Sequence, residues 1–565
     1  MGERIDCDVL VAGTGASGFA AALTARHHGL SVILAEKTPL FGGTTAYSAG
    51  VVWIPGNAHA QREGLCDSRE AALTYLQSEA GPKLDAGKAE AFVRHAAEMI
   101  EFMERHTRVR YSVQKTWADY HPGLPGASQG GRSLLPEPFD GRILGEQFSH
   151  LRAPLSTMML YGGMSVSRDD IPHLLNAARS PRSALHVAGM LARYALDRIS
   201  YPRGTRVTNG NALIARMAKS AMERGIPIWL SSPLEHLLLD RGNAVGAMVK
   251  HEGRNVEVNA KRGVVLACGG FPRNDAMRKK HFGHVALGQS HQPLAPEGNT
   301  GDGIRVAMEA GAKFTGNAVQ PAAWTPVSLV PQPDGSNVPY PHFIDRCKPG
   351  YIAVDRRGRR FANEADSYHD FMPLLFERCK SDSEAEAWIV CDHRAIRRYG
   401  LGVAPPSPGR LEPHLRSGYI AHADTLEALA GKLGIDGAGF VDQIARYNRD
   451  AERGEDPQFN KGTNAYNLFG GDPAHKPNPC VAPLVTPPFY ALRIIAGDLG
   501  TFIGIATDGS ARVLREDGRP VPGLYAVGND QASVMGGTYP GAGITLGPAM
   551  TFGYIAGKHL ANEGH

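Results

Sequence analysis

The first apolar run of the chain, CDVLVA at 7–12, has the length and continuity of a strand buried in a parallel sheet. The Ala-rich, proline-free stretch at 13–26 is predicted to be a helix, and after Gly29 a second apolar strand, SVILAE, closes on Glu36. Two distant runs repeat the form of the first. GVVLACGGF at 263–271 and GLYAVGND at 523–530 are both strands that end in glycine, and the second is followed by the glycine-punctuated GAGITLGPAMTFGYIAGKHLA. Strands of one sheet are therefore expected from widely separated parts of the chain. Between them, 283–493 is richer in proline and aromatics and is predicted to mix strand and helix, with a turn at Arg357 and Gly358. No internal repeat of fixed period is present.

Composition narrows the classes. A chain of 565 residues exceeds what one hydrophobic core supports, so two domains with a site between them are expected. With 42% hydrophobic and 21% charged residues it is globular rather than disordered. The net charge of +4 is spread along the chain, and the cluster Arg356, Arg357, Arg359 and Arg360 is expected to be a solvated turn, so nucleic acid is not an expected partner. The seven cysteines are an odd number without a Cys-x-x-Cys pair, which argues against a disulfide framework and against a metal site. Charges in the opening MGERIDCD stand where a signal peptide needs apolar residues, pointing to a cytoplasmic location. No uncharged apolar run reaches 18 residues, so no membrane-spanning helix is expected, while peripheral membrane contact stays open.

The glycines carry the first chemistry. In GTGASG, Gly13 permits a tight turn, Gly15 lets the backbone approach a pyrophosphate, and Gly18 lets the helix pack on the strand, with Ala16 and Ser17 opening the helix whose N-terminus attracts phosphate. Glu36 stands where a carboxylate would hold ribose hydroxyls, with Lys37 beside it. Immediately afterwards Gly42, Gly43, Thr44, Thr45, Ser48, Ala49 and Gly50 give a stretch in which main chain can run against an isoalloxazine and its ribityl chain, which favours FAD over NAD. Ala267, Gly269, Gly270, Asp302, Gly528, Asn529, Gly543, Thr545 and Leu546 complete the expected cofactor set. The fold class is thus an α/β, discontinuous Rossmann-like FAD-binding domain, 1–282 with 494–565, interrupted at 283–493 by an α+β cap domain for substrate.

These motifs together resemble the fumarate-reductase and succinate-dehydrogenase flavoproteins over nearly the whole chain: GTGASG, Glu36, FGGTT, ACGG, TGDG at 300–303, GRRFANE at 358–364 and GLYAVGN. Within that superfamily the chain is most similar to the 3-ketosteroid Δ1-dehydrogenases. The resemblance implies an active site of Tyr120 in WADYHPGLPG, Tyr368 in FANEADSYHDF, and Tyr539 with Gly543 in GGTYPGAGITLGP. The chemistry agrees. Desaturating a carbon pair next to a ketone removes an alpha proton and a beta hydride, and the proton is acidic only if the carbonyl oxygen is polarised. The Tyr539 hydroxyl and the Gly543 N–H suit that polarisation. Tyr368 suits the base, with Tyr120 stabilising its phenolate, and flavin N5 takes the hydride. Trp117, Met164 and Trp324 are candidate pocket walls, and His369 is the alternative base.

Dicarboxylate reduction is disfavoured, because the segment after Asn363 and Glu364 reads ADSYHDF without the arginine a carboxylate clamp needs. The segment at 43–46, where some relatives attach flavin covalently to histidine, reads GTTA, so non-covalent FAD is expected. The expected partners are a cyclic ketone, most simply a 3-ketosteroid, and an external electron acceptor such as a quinone. The alternatives are a smaller ring of the cyclohexanone kind and, from another class, a non-catalytic flavin redox partner.

Overall fold

The computed structural model describes residues 3–177 and 180–562. Its first sheet has the strand order Arg512–Leu514, Pro520–Ala526, Arg254–Leu266, Glu3–Ala12, Val32–Ala35, Ile228–Trp229. All neighbours from Pro520–Ala526 to Ile228–Trp229 pair in parallel, and the hairpin Leu234–Asp240 and Asn243–His251 joins through Arg254–Leu266. The apolar continuity of 7–12 has its cause here: the strand is buried on both faces, Val9 and Val11 in one core and Cys7, Leu10 and Ala12 in another. One cover is the first helix, Ala16–His27, of which ten residues are buried, packed against the last helix, Leu546–Asn562.

Register decides where a ligand can sit. Ala526 lies opposite Leu266, Leu266 opposite Ala12, and Ala12 opposite Ala35. The carboxyl ends of four strands from distant parts of the chain are therefore level, and the turns after them emerge side by side along one edge. Open parallel sheets bind ligands at that edge.

The second sheet is centred on Phe489–Thr501, flanked by Ala322–Pro331 and Glu386–Cys391 and bordered by Asn337–Pro341 and Tyr351–Val354. His291–Pro293 and Ala421–Ala423 also pair with the central strand. The domain return expected at 494 falls inside this strand, whose 13 residues pair with cap strands out to Thr501. Ladder hydrogen bonds hold the chain in the cap sheet for seven residues beyond 494, so the chain leaves it only after Thr501.

The arginine cluster also differs from expectation. Arg356 and Arg357 are exposed, but Arg360 is buried. The turn returns the chain to pair with Val354, which aims the Arg360 fork inward onto Glu364 (2.7 and 2.8 Å) and Asp456 (2.7 and 2.9 Å). Burial alone would raise the Glu364 carboxyl, but the Arg360 and Lys461 charges outweigh it and bring it down to about 2. A buried charge persists only when paired in this way. The knot anchors the segment leading to Tyr368.

Candidate active site

The level strand ends form a cradle whose donors are main-chain groups. Gly13 adopts φ +113°, and a Cβ there would stand 2.1 Å from the Ala267 carbonyl oxygen, so only glycine lets the first turn pass the ACGG turn. Around Gly15 the space is open: a Cβ would meet nothing nearer than Thr45 Oγ1 at 3.7 Å. The N–H groups of Gly15, Ser17, Gly43 and Thr44 make no hydrogen bond with any described residue. Unpaired donors at a helix N-terminus, beside open space, fit a pyrophosphate. The residues present therefore fit a dinucleotide.

Other members of the expected set tie this wall together. Thr45 Oγ1 accepts from Ala16 N (3.1 Å), fixing the 42–47 turn on the first helix. Gly50 packs on the backbone of Asn209 and Gly210, and Ser48 O accepts from Gly210 N (3.0 Å). Ala49 is exposed. The Glu36 carboxylate accepts from Thr14 and Thr38, with hydroxyl distances of 2.5 and 2.9 Å. Lys37 Nζ lies 2.7 Å from both Asp302 and Thr300. Gly528 lies against Ser17, and Asn529 against Gly500 and Thr501.

Sequence reasoning missed two polar ties here. Asp530 accepts from Cys268 N (2.6 Å) and Gly270 N (3.0 Å), and burial raises its carboxyl to about 6. Asn299 donates to Thr44 Oγ1 (2.9 Å) and to the Gly269 oxygen (3.2 Å). Asp530 closes the quoted GLYAVGND and Asn299 precedes TGDG, but neither has a periodicity or spacing that singles it out.

Three tyrosines from distant segments meet where the cap faces this edge. The Tyr120 hydroxyl donates to the Tyr368 hydroxyl (3.1 Å). The Tyr120 and Tyr539 rings stack, with centroids 5.5 Å apart and planes at 8°, and Tyr368 meets Tyr539 edge-on at 5.2 Å. Each is held from its own side. Tyr120 N and the Tyr75 hydroxyl both donate to the carbonyl of Pro540, the residue after Tyr539. Asp119, buried, accepts from Trp53 Nε1 (2.8 Å) and Arg132 Nη1 (2.7 Å). Tyr368 opens the helix Tyr368–Arg378, capped by Ser367, whose Oγ accepts from Asp370 N. Gly536 and Gly537, before Tyr539, accept from Val319 N and Gln320 N.

Gly543 lies at φ +97°, where a Cβ would stand 2.7 Å from Trp53 N and from Val51 O. Its carbonyl accepts from Trp53 N (3.1 Å), and its N–H makes no hydrogen bond with any described residue. It precedes the Leu546–Asn562 helix, so the positive end of that helix dipole faces the same region.

Burial controls the electrostatics. It raises the Tyr539 phenol to about 12, with the Tyr368 and Thr545 side chains working against it. It pushes Tyr368 well above the ordinary phenol value, and the Tyr120 and Tyr539 phenols push it further. His369 is brought down to about 4 by burial, so it is neutral at ordinary pH. Its Nδ1 accepts from Trp324 N (3.1 Å), which occupies the ring nitrogen a base would use.

The three expected pocket walls lie apart from the tyrosines. Trp324 is a core residue, packed against Phe282, His284 and Phe376. Met164 is buried facing Met190, Tyr194 and Arg206. Trp117 is half-buried, stacked under the Arg168 guanidinium (4.6 Å) and edge-on to Phe469 (5.5 Å). The aromatics that do touch the cluster went unnamed in the sequence: Tyr466, 4.5 Å from the Tyr120 ring, and Phe343, 4.9 Å from Tyr368. A further tie was also missed. His121 sits between Glu79 Oε1 (2.5 Å) and Asp370 Oδ2 (2.8 Å), pinning the residue after Tyr120 to the helix of Tyr368.

Comparison with known proteins identifies the family. A family profile described as FAD binding domain matches residues 8–546. The chain is 41% identical over 560 residues to a 4-oxocyclohex-2-ene-1-carboxylate 5-dehydrogenase of Sinomonas cyclohexanicum, covering 99% of this chain and 94% of that one. It is 37% identical over 567 residues to a 3-oxosteroid 1-dehydrogenase of Mycobacterium tuberculosis, covering 98% of each. A solved 3-ketosteroid Δ1-dehydrogenase from Sterolibacterium denitrificans, in complex with 1,4-androstadiene-3,17-dione, superposes with a TM-score of 0.90 at 37% identity, over 99% of this chain and 100% of that one.

Proposed function

The chain belongs to the FAD-binding family that includes the 3-ketosteroid Δ1-dehydrogenases, and on that premise we propose that it desaturates a 3-ketosteroid between carbons 1 and 2. It is an FAD-dependent dehydrogenase acting on a CH–CH bond of a cyclic ketone. When bound, FAD supplies the hydride acceptor. The unpaired N–H groups of Gly15, Ser17, Gly43 and Thr44 would hold its pyrophosphate.

The observation that carries the reading is the meeting of Tyr120, Tyr368 and Tyr539 beside the unpaired Gly543 N–H. The Tyr539 hydroxyl and the Gly543 N–H donate to the ketone oxygen, which lowers the cost of negative charge there as the alpha proton leaves. Tyr368 takes that proton. Tyr120, hydrogen-bonded to it, stabilises the resulting charge and passes the proton outward. The packed aromatic walls exclude water, so these dipoles act in a medium of low dielectric.

A second reading keeps these roles and shrinks the substrate to a carboxylated cyclohexanone ring. It is favoured by the 41% identity to the Sinomonas enzyme. The electron acceptor in either case is external and quinone-like. Cysteine usage supports a reducing, cytoplasmic compartment, and among the described residues no helix is long and apolar enough to cross a membrane.

Anaerobic mixing with a panel of 3-ketosteroids, cyclohexanones and oxocyclohexane carboxylates tests both readings. Flavin absorbance should bleach with a 3-ketosteroid at the highest kcat/KM. Preference for a single-ring ketone would select the second reading, and no bleaching by any ketone would refute both.

A further inference from the structure

Arg168 carries a charge that the fold leaves unused. Its guanidinium lies over the faces of both Trp117 (4.6 Å) and Phe469 (4.9 Å), and its Nη1 donates to Gln114 Oε1 (3.1 Å). No described residue accepts from Nε or Nη2, and no described carboxylate pairs with the group. Other half-buried arginines differ: Arg206 pairs with Asp170 (2.8 Å), and Arg216 donates to the carbonyls of Glu137, Arg108 and Pro138. A second donor beside Arg168 is also unmet. Trp117 Nε1 is buried and has no hydrogen-bond partner among the described residues. A buried donor left without a partner costs free energy that the acceptor of a ligand would recover.

The two donors extend the wall of the tyrosines outward. Phe469 lies three residues after Tyr466 on the helix Ala465–Gly470, about 5 Å further along its axis, and the Tyr466 ring touches that of Tyr120 (4.5 Å). Trp117 stands three residues before Tyr120. Tyr120 and Tyr466 are buried, whereas Trp117, Arg168 and Phe469 are half-buried, so the row runs from a closed end at the phenols to an outer end at the guanidinium. Tyr120, Tyr466 and then the Trp117–Phe469 pair separate Arg168 from a ketone held by Tyr539 and Gly543. A single six-membered ring does not span that row, and a fused-ring ketone does.

The open edge of Arg168 selects the chemistry of the far end. With Nη1 taken by Gln114, the Nε and Nη2 donors remain side by side, the arrangement that a carboxylate accepts with both oxygens. The two aromatic faces fix the plane of the fork, so little freedom is lost when an anion binds. Partial burial lowers the guanidinium from its ordinary range, with Asp169 working against it, and a partly desolvated cation gains more from an anion than one in water. A neutral carbonyl would use one donor and leave the charge unanswered.

We propose that Arg168, with Trp117 Nε1 beside it, is a specificity contact for a carboxylate at the end of the substrate remote from the ketone, so that the preferred substrate is a 3-ketosteroid with an acidic side chain. This rests on the function proposed above. Arg168 stands away from the reacting carbons, and its effect therefore falls on binding rather than on the chemical step.

Anaerobic turnover of the FAD-loaded protein with 3-oxopregn-4-ene-20-carboxylate and with its methyl ester tests the contact. Wild type should favour the acid about tenfold or more in KM, and the preference should shrink as salt rises. Arg168→Gln should raise KM for the acid about 10- to 100-fold, as when a charge-assisted pair is lost, and for the ester far less, with the loss in KM rather than kcat. Arg168→Lys should keep part of the preference, since the charge stays and the two-donor edge goes. Trp117→Phe, which keeps an aromatic ring and removes the N–H, should lower it by a smaller factor. The flavin spectrum and Tm report whether each variant is folded. Equal KM for acid and ester in wild type, or equal losses for both in Arg168→Gln, overturns the proposal and leaves Arg168 a packing residue. An Arg168-dependent KM for 4-oxocyclohexanecarboxylate overturns the assignment to a fused-ring acid. Calorimetric binding of the already desaturated 3-oxopregna-1,4-diene-20-carboxylate to the oxidised holoenzyme needs no flavin reduction. Arg168-dependent binding without steroid turnover would sink the steroid-desaturation reading and keep the contact, and turnover without acid preference would do the reverse.

Discussion

The two walls that meet at the edge of the first sheet are built by opposite means. On the dinucleotide side, the proposed recognition belongs to the backbone: unpaired N–H groups of Gly15, Ser17, Gly43 and Thr44, with open space beside Gly15. At the seam with the cap the proposed recognition belongs to side chains, the phenols of Tyr120, Tyr368 and Tyr539, each brought from a different segment and only Tyr368 from the cap itself. Backbone recognition ties function to fold, because the turn that presents the donors depends on Gly13, where two chain segments pass at contact. Side-chain recognition separates them, because a hydroxyl can be removed while the ring that packs is kept.

Breaking the first wall should therefore cost the most. Gly13→Ala places a Cβ 2.1 Å from the Ala267 oxygen at a backbone angle that alanine avoids. The expected outcome is no flavin-bearing folded protein on purification. A yellow protein with wild-type Tm would remove the contrast.

Tyr368→Phe should leave flavin and Tm intact while slowing anaerobic flavin reduction by about 10²–10⁴, the usual worth of a positioned base. If Tyr368 is that base, the wild-type rate should still be climbing at alkaline pH, since burial raises both Tyr368 and Tyr539, the latter to about 12. The variant should lose that climb. A variant that reduces flavin at the wild-type rate would take the proton-accepting role away from Tyr368.

Tyr539→Phe should cost less, about 10²–10³ in kcat with a smaller change in KM, as when one oxyanion donor is removed. A loss confined to KM would make Tyr539 a ground-state contact instead.

The smallest effect sharpens the comparison from the cap side, at the ion pair that holds the tyrosines in place. Burial would lower the His121 imidazole, but Asp370 and Glu79 outweigh it and raise it to about 10. A raised cation contributes stability that is complete below its ordinary value of 6.5 and lost as pH rises through about 10. Wild-type Tm should therefore decline over that window more than the Tm of His121→Gln. Parallel declines would show that the pair contributes nothing measurable.

The two walls were unequally legible. GTGASG, Glu36 and the glycine-ended strands state their geometry locally, since turn, helix start and strand lie within a few residues of one another. The terminal Tyr539 and Gly543 share that advantage by standing just after a strand end. Tyr120 and Tyr368 carry no local signal and were found through family resemblance. Their neighbours Tyr466 and Phe343, and the tie through His121, were missed because apolar composition does not say which aromatic faces which. Trp324 failed as a pocket wall for the same reason: its aromatic ring suited a cavity, but the fold packs it among Phe282, His284 and Phe376. Arg360 failed because a run of arginines reads as solvated until the turn aims one of them at Glu364 and Asp456.

By itself the sequence determined what short-range geometry can determine: parallel strands, the glycine turns that end them, a dinucleotide cradle, and the separation of the first sheet from an inserted second one. The tertiary structure alone decided that Ala526, Leu266, Ala12 and Ala35 end level, that Phe489–Thr501 keeps the chain in the cap sheet past residue 494, and that three phenols lie in contact. The division follows from distance along the chain. Steric rules act over a few bonds and leave their mark in adjacent residues. Register and side-chain contact join residues hundreds of positions apart, and only the packed fold brings those together.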